Sequence, residues 1–290
     1  MTELNEQSFS DSNPVTGRPS RRQRLAAPIW RLRPATGAVV ETLRSHIIPK
    51  IVLALRSLPV VAVPDAGRSA PDAIERFADL AVGDDDDAAF AHVEKLLASG
   101  TSVESILLEL LAPTARHLGA LWETDAADFV IVTLGVSRLH RIMRRLGESF
   151  YHEGHVADGS ESVLLTIIPG EQHSFGLSMV AEFFRRAGWN LCTGPFASHQ
   201  ELTSLVQNHW FDVVGFSVSS DRRLNELKQD ISAIRRDSRN RHVGIMLGGP
   251  MLILQPGLVA SMGADMMSVD AATAPQQAHG LILRMNQSEA

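Results

Sequence analysis

From residue 162 onward, short apolar runs alternate with stretches whose apolar positions recur every three or four residues. The first run, Ser162-Val163-Leu164-Leu165-Thr166-Ile167-Ile168, stops at Pro169-Gly170, the pattern of a parallel strand buried on both faces. Residues 177–187 follow with helical spacing and Gly188 as the stop. Repetition of this pattern predicts further strands over 190–196, 211–219, 242–247 and 264–270. The intervening helices fall at about 199–208, 222–236 and 256–262, with a last one ending near 285. Such alternation predicts an α/β fold, a five-stranded parallel sheet with right-handed crossovers in flavodoxin-like order.

The preceding segment has only the helical period. A short helix is expected over 72–80, and Asp84-Asp85-Asp86-Asp87 opens the next, where acidic residues complement a positive helix start. Thr101-Ser102-Val103-Glu104 fits a capping box ahead of an apolar stripe from Ile106 to Trp122, and a further helix spans 128–145. Short connections make this an all-α four-helix bundle. The domain plan is an N-terminal extension over 1–70, the bundle over 71–150 and the α/β domain over 160–290. Within the extension, the first 35 or so residues read as disordered, and 37–58 carries Val39, Val40, Leu43, Ile47 and Ile48 as an amphipathic helix.

Candidate chemistry gathers at the carboxyl edge of the sheet. Glu171-Gln172-His173-Ser174-Phe175-Gly176 lies between the first strand and its helix, where open α/β sheets bind ligands. A neutral imidazole suits a transition metal, and a carboxylate two residues earlier can hold its other nitrogen. In flavodoxin-like order the third strand neighbours the first, so Ser217 and Ser219 flank the same crevice, with Gly248-Gly249 beside it. Glycines there leave room for a ligand against backbone. The alternative readings are a loop histidine bonded to backbone and a pair of ordinary turn glycines.

Glu171-x-His173-x-x-Gly176, then Ser217-x-Ser219, then Gly248-Gly249 resembles the cobalamin-binding domain pattern Asp-x-His-x-x-Gly, Ser-x-Leu, Gly-Gly, over the stretch 162–285. The resemblance implies His173 as the lower cobalt ligand, Glu171 as its hydrogen-bond partner, Ser217 as a contact of the displaced nucleotide tail, and Gly248-Gly249 as the slot wall. Glu171 replaces aspartate and Ser219 replaces leucine, the second change making the wall more polar. Leu110 to Glu123 is similar to the helical cap over the upper face of cobalamin, which implies Trp122 above the metal; a tryptophan of the bundle core is the alternative. In light-sensing repressors a Glu-His pair follows ten and eleven residues after that tryptophan. Here those places hold Val132 and Thr133, leaving His140 and His117 as substitutes.

The 127–141 segment, with Glu171 in the loop, looks closest to the AerR/PpaA regulators of photosynthesis genes. That resemblance implies a cobalamin-binding, light- or redox-responsive regulator, carrying adenosyl- or hydroxocobalamin, that acts as an antirepressor on a CrtJ/PpsR-type transcriptional repressor. A corrinoid methyl carrier for a methyltransferase system, a haem-binding protein using the same histidine, and a cofactor-free scaffold are the other readings.

Composition narrows the field. A formal net charge of -6 argues against a wholly basic nucleic-acid binder. Arg18, Arg21, Arg22, Arg24, Arg31 and Arg33 nevertheless form an arm without carboxylates. DNA contact is thus expected through this arm or through the partner. Cys192 is the single cysteine, which excludes an intramolecular disulfide and fits a reducing compartment. No run is long and apolar enough to span a bilayer and no secretory h-region opens the chain, so no membrane association and a cytoplasmic location are expected. The sequence has no phosphate-binding Gly-x-x-x-x-Gly-Lys loop, no Gly-x-Ser-x-Gly elbow and no His-Glu-x-x-His helix, so no catalytic role is assigned.

Overall fold

The computed structural model describes residues 71–152 and 161–287. The arginine arm and the amphipathic segment expected over 37–58 lie outside the described residues. The bundle begins with α1 (Pro71–Val82) and α2 (Ala88–Ala98). The next helix, α3, is assembled from Val103–Ser105, a π-helical stretch Ile106–Leu111 and Ala112–Glu123. The helix α4 (Phe129–His152) completes it. The cap of α3 is Ser102 rather than Thr101, its hydroxyl accepting from the Ser105 N–H at 3.1 Å. Glu104 is thereby released from capping and reaches Arg186 at 2.5 Å.

The α/β part contains β1 (Ser162–Thr166), α5 (Phe175–Arg186), β2 (Asn190–Thr193), α6 (His199–Asn208), β3 (Val213–Ser217) and α7 (Leu224–Asp237). It continues with β4 (Gly244–Gly248), α8 (Pro250–Leu254), α9 (Leu258–Met262), β5 (Met266–Ser268) and α10 (Ala274–Gln287). The strands are parallel in the order β2-β1-β3-β4-β5, the flavodoxin-like arrangement expected. Leu164 stands opposite Cys192 on one side and Val214 on the other, fixing β1 at the centre of the edge-to-switch region.

The strands are shorter than their apolar runs. Ile167 and Ile168 beyond Thr166 and Val218 beyond Ser217 stay buried without continuing the ladder, whereas Val269 beyond Ser268 is exposed, so hydrophobicity alone overstates strand length. The short helix expected over 256–262 is α9, starting at Leu258 after Pro256 and Gly257, and an additional short helix not expected from the sequence, α8, precedes it.

Side chains alternate across the sheet as the pleat requires. Val163, Leu165 and Val213 pack with α5 and α10, whereas Leu164, Val214 and Ile245 pack with α6 and α7. The helix α5 is buried on two flanks. Leu177, Ala181 and Phe184 join the sheet core, and Met179 and Phe183 join the bundle core, where Phe183 meets Phe150 edge-on at 5.1 Å. Spacings of four and three residues place each set on one stripe. Glu182, between the stripes, is buried, pairs with Arg185 at 2.5 Å and lies where a β-carbon on Gly147 would come within 2.8 Å of it.

Arg138 is the bundle's buried cation, only 5% exposed. It donates to the carbonyls of Ala81 at 3.0 Å and Gly83 at 2.5 Å, and to the Asp86 carboxylate. Asp86 in the acidic run is therefore an ion-pair partner, and Asp87 is the residue that precedes α2.

Candidate functional site

The loop after β1 opens with a tight turn. Glu171 N–H donates to the Ile168 carbonyl at 2.9 Å, and Gly170 has φ +85°, so Pro169-Gly170 occupies the centre of a type II turn. The Glu171 side chain then curls back over the loop. Its Oε1 accepts from the Gln172 N–H at 2.8 Å, from the His173 N–H at 3.3 Å and from His173 Nδ1 at 2.5 Å. The methylene by which glutamate exceeds aspartate is accommodated in this curl.

A carboxylate can only accept, so the Nδ1 proton is fixed and the lone pair resides on Nε2. That Nε2 is buried and has no hydrogen-bond partner. Burial pushes the Glu171 carboxyl up, but the hydrogen bonds from the His173 ring and the two backbone N–H groups outweigh it and hold the pKa at about 2. The histidine of the bland reading would have satisfied itself on backbone; this ring has one nitrogen held and one unused.

Gly176, at the start of α5, faces the end of β3. A β-carbon there would lie 3.9 Å from Ser217 Oγ, so the missing side chain leaves a gap between the two elements. Ser219 and its neighbour Ser220 are buried behind that end. Gly248 and Gly249 have a different immediate reason. A β-carbon on Gly248 would meet the Ser268 carbonyl at 2.8 Å, and one on Gly249, whose φ is +99°, would meet the Val218 carbonyl at 2.5 Å. The pair lets β4 close against its neighbours' backbone, and the volume saved is taken by the protein itself.

On the bundle side, Trp122 ends α3 at 9% exposure, outside the apolar cluster of the bundle, with its ring edge-on to Phe129 at 6.4 Å. The turn beyond it includes Asp125 in left-handed backbone, φ 55°. Glu123 follows Trp122, and burial pushes its carboxyl up. Val132 is half-buried against the bundle core and Thr133 is exposed, so neither substitutes for a ligand. His140 is placed differently: its ring stands edge-on to Phe175 at 4.9 Å and Nδ1 donates to the Val136 carbonyl at 3.1 Å. It lines a groove of about 520 Å³ between α4 and α5, together with Arg144, Ser174 and Thr193. His117 is half-buried on α3, five residues before Trp122.

Among the described residues no three His, Cys, Asp or Glu side chains are grouped to hold a metal ion. One poised imidazole cannot build a protein-only metal site, which takes three or four ligands. It suffices for a metal that arrives with its equatorial positions already filled by a macrocycle. The donor set therefore fits a corrin or a haem. No helix among the described residues is long and apolar enough to cross a membrane.

The flavodoxin-like sheet thus carries a histidine loop at its switch edge, with a helical bundle packed on α5. Residues 161–278 match the family model described as B12 binding domain, and residues 73–147 match a second model of the same description. The chain is 25% identical over 177 residues to an uncharacterized 20.5 kDa protein in the bchF-crtJ intergenic region of Rhodobacter capsulatus, covering 61% of this chain and 92% of that protein. Its fold is similar to the monomethylamine corrinoid protein of Methanosarcina barkeri, with TM-score 0.60 and 14% identity over 72% of this chain and 98% of the other.

Proposed function

We propose that this protein is a cobalamin-binding regulator of transcription, light- or redox-responsive, that acts in the cytoplasm through a CrtJ/PpsR-type repressor partner as an antirepressor. The observation that carries the cofactor assignment is the His173 ring, with Nδ1 held by Glu171 and Nε2 buried and unused. The regulatory role is supported by the Rhodobacter capsulatus relative, whose gene lies beside crtJ.

When bound, the corrin would supply a cobalt centre sensitive to light or redox state. His173 Nε2 would hold the cobalt, and Glu171, by accepting from Nδ1, would fix the orientation of the ring. The gap between Gly176 and Ser217 admits the nucleotide tail, with Ser217 offering a hydroxyl to it and Ser219 and Gly248-Gly249 closing the wall behind. Trp122 would line the site from the bundle side, and a cofactor state bound differently by two arrangements of bundle and sheet would shift the balance between them.

The test is reconstitution with hydroxo- and adenosylcobalamin in darkness and in light, followed by absorption spectra of wild type and His173→Ala. A base-off, histidine-ligated spectrum in wild type that the variant loses is expected. An identical spectrum in the variant rejects the ligand assignment, and a Soret band after haem reconstitution with no cobalamin uptake replaces the cofactor. A second reading, a corrinoid methyl carrier, is favoured by the likeness to the monomethylamine corrinoid protein. Methyl transfer from the loaded protein to a methyltransferase acceptor would select it.

A further inference from the structure

The type II turn that launches the histidine loop has an unusual guard. In this turn the central peptide is flipped, which directs the Pro169 carbonyl away from the hydrogen bond that closes the turn. That carbonyl is received by Arg223, which lies just before α7, at 3.3 Å from Nη1. The same guanidinium lies over Gly170: a β-carbon there would sit 3.1 to 3.2 Å from its Nη2, Cζ and Nη1. Glycine at 170 is required by its φ of +85°, and its missing β-carbon also lets the guanidinium approach.

Arg223 is itself held. Its Nη1 also donates to Glu226 at 2.6 Å, and the Glu226 carboxylate is 3.6 Å from His199 Nε2. The other ring nitrogen of His199 donates to Asp230 at 2.6 Å, a carboxylate only 3% exposed. The turn before His173 is therefore tied through one chain of polar contacts to the start of α6 and the buried flank of α7. Hydrogen bonds to a charged donor are the stronger kind, and here the N–H groups of the one nitrogen Nη1 serve the carbonyl and the carboxylate together.

We infer that Arg223 is a positioning residue for the His173 loop: by clamping the Pro169 carbonyl and stacking on Gly170, it sets the direction in which the imidazole is presented. The cofactor part of this inference rests on the cobalamin reading, whereas the clamp acts on the cofactor-free chain as well.

The experiment compares full-length wild type, Arg223→Met, Arg223→Lys and Glu226→Gln. Amide hydrogen exchange over 170–174 is measured first without cofactor. Exchange about tenfold faster or more in Arg223→Met, with an intermediate value in Arg223→Lys and Glu226→Gln, is expected from loss of a charge-assisted bond. Helix α10, remote from the turn, serves as the internal control and should be unchanged. The proteins are then loaded with hydroxocobalamin, and a lower fraction of histidine-ligated cobalt is expected in Arg223→Met, partly rescued by lysine. Wild-type exchange rates at 170–174 in both Arg223→Met and Glu226→Gln overturn the inference. If wild type takes up no cobalamin, the proposed function fails while the exchange measurement still decides the clamp.

Discussion

Glu171 Oε1 stands 2.5 Å from His173 Nδ1 and takes that ring nitrogen out of play, so everything the imidazole can do it does through Nε2. Glu171→Ala removes the acceptor without touching the donor atom that faces the cleft. Loss of such a partner lowers metal affinity about 10- to 100-fold. Titration with hydroxocobalamin should show that weakening, with Glu171→Gln retaining more affinity because its amide oxygen can still accept.

Gly176 and Ser217 give a test that separates the gap from the ligand. The β-carbon of Gly176→Ala would make an ordinary 3.9 Å contact with Ser217 Oγ, so stability should change by less than about 0.5 kcal/mol. Gly176→Leu should keep the fold and weaken cobalamin binding at least tenfold by filling the space assigned to the nucleotide tail. Equal affinities in the two variants would remove the tail from that gap.

The bundle has its own weak point in Arg138. Arg138→Met strands the Ala81 and Gly83 carbonyls, and a buried acceptor left unpaired costs about 1–3 kcal/mol. Denaturation in urea should reveal a loss of roughly 2–4 kcal/mol. The Arg138 hydrogen bond and charge also hold the Asp86 carboxyl below its usual range, so its contribution is present above that range and disappears as pH falls through the lowered value.

Two histidines set the response to mild acid. Burial holds His140 below the ordinary imidazole value of 6.5; its bond to the Val136 carbonyl opposes this and Arg144 adds to it. Burial does the same for His92, helped by Lys95 and Arg76. Each binds a proton more readily unfolded than folded, so stability is full above about 6.5 and falls as pH drops toward the lowered values. Urea midpoints should decline between pH 7.5 and pH 5.5, and the double variant His92→Gln, His140→Gln should flatten that decline.

The strand-helix alternation was legible because a sheet buried on both faces demands uninterrupted apolar runs, and Val163 through Ile168 meet that demand. The strand order followed from parallel topology. The loop around His173 was legible too, as Pro169-Gly170 marks the turn and Phe175 the helix start. What the sequence hid depends on contacts between distant positions. Arg223 lies 54 residues from Pro169, and nothing in the local pattern of an arginine before a helix reports the carbonyl it grips. The π-helical turn at Ile106–Leu111 has no signal in the local helical spacing. The glycines at 248 and 249 were recognisable as special, but the occupant of the space they leave is strand backbone.

The helix α5 begins two residues after His173, and its opposite flanks are lodged in separate cores through Phe184 and Phe183. A rod embedded on both sides cannot roll alone. A shift of its amino end, next to the imidazole, is therefore felt by both cores at once.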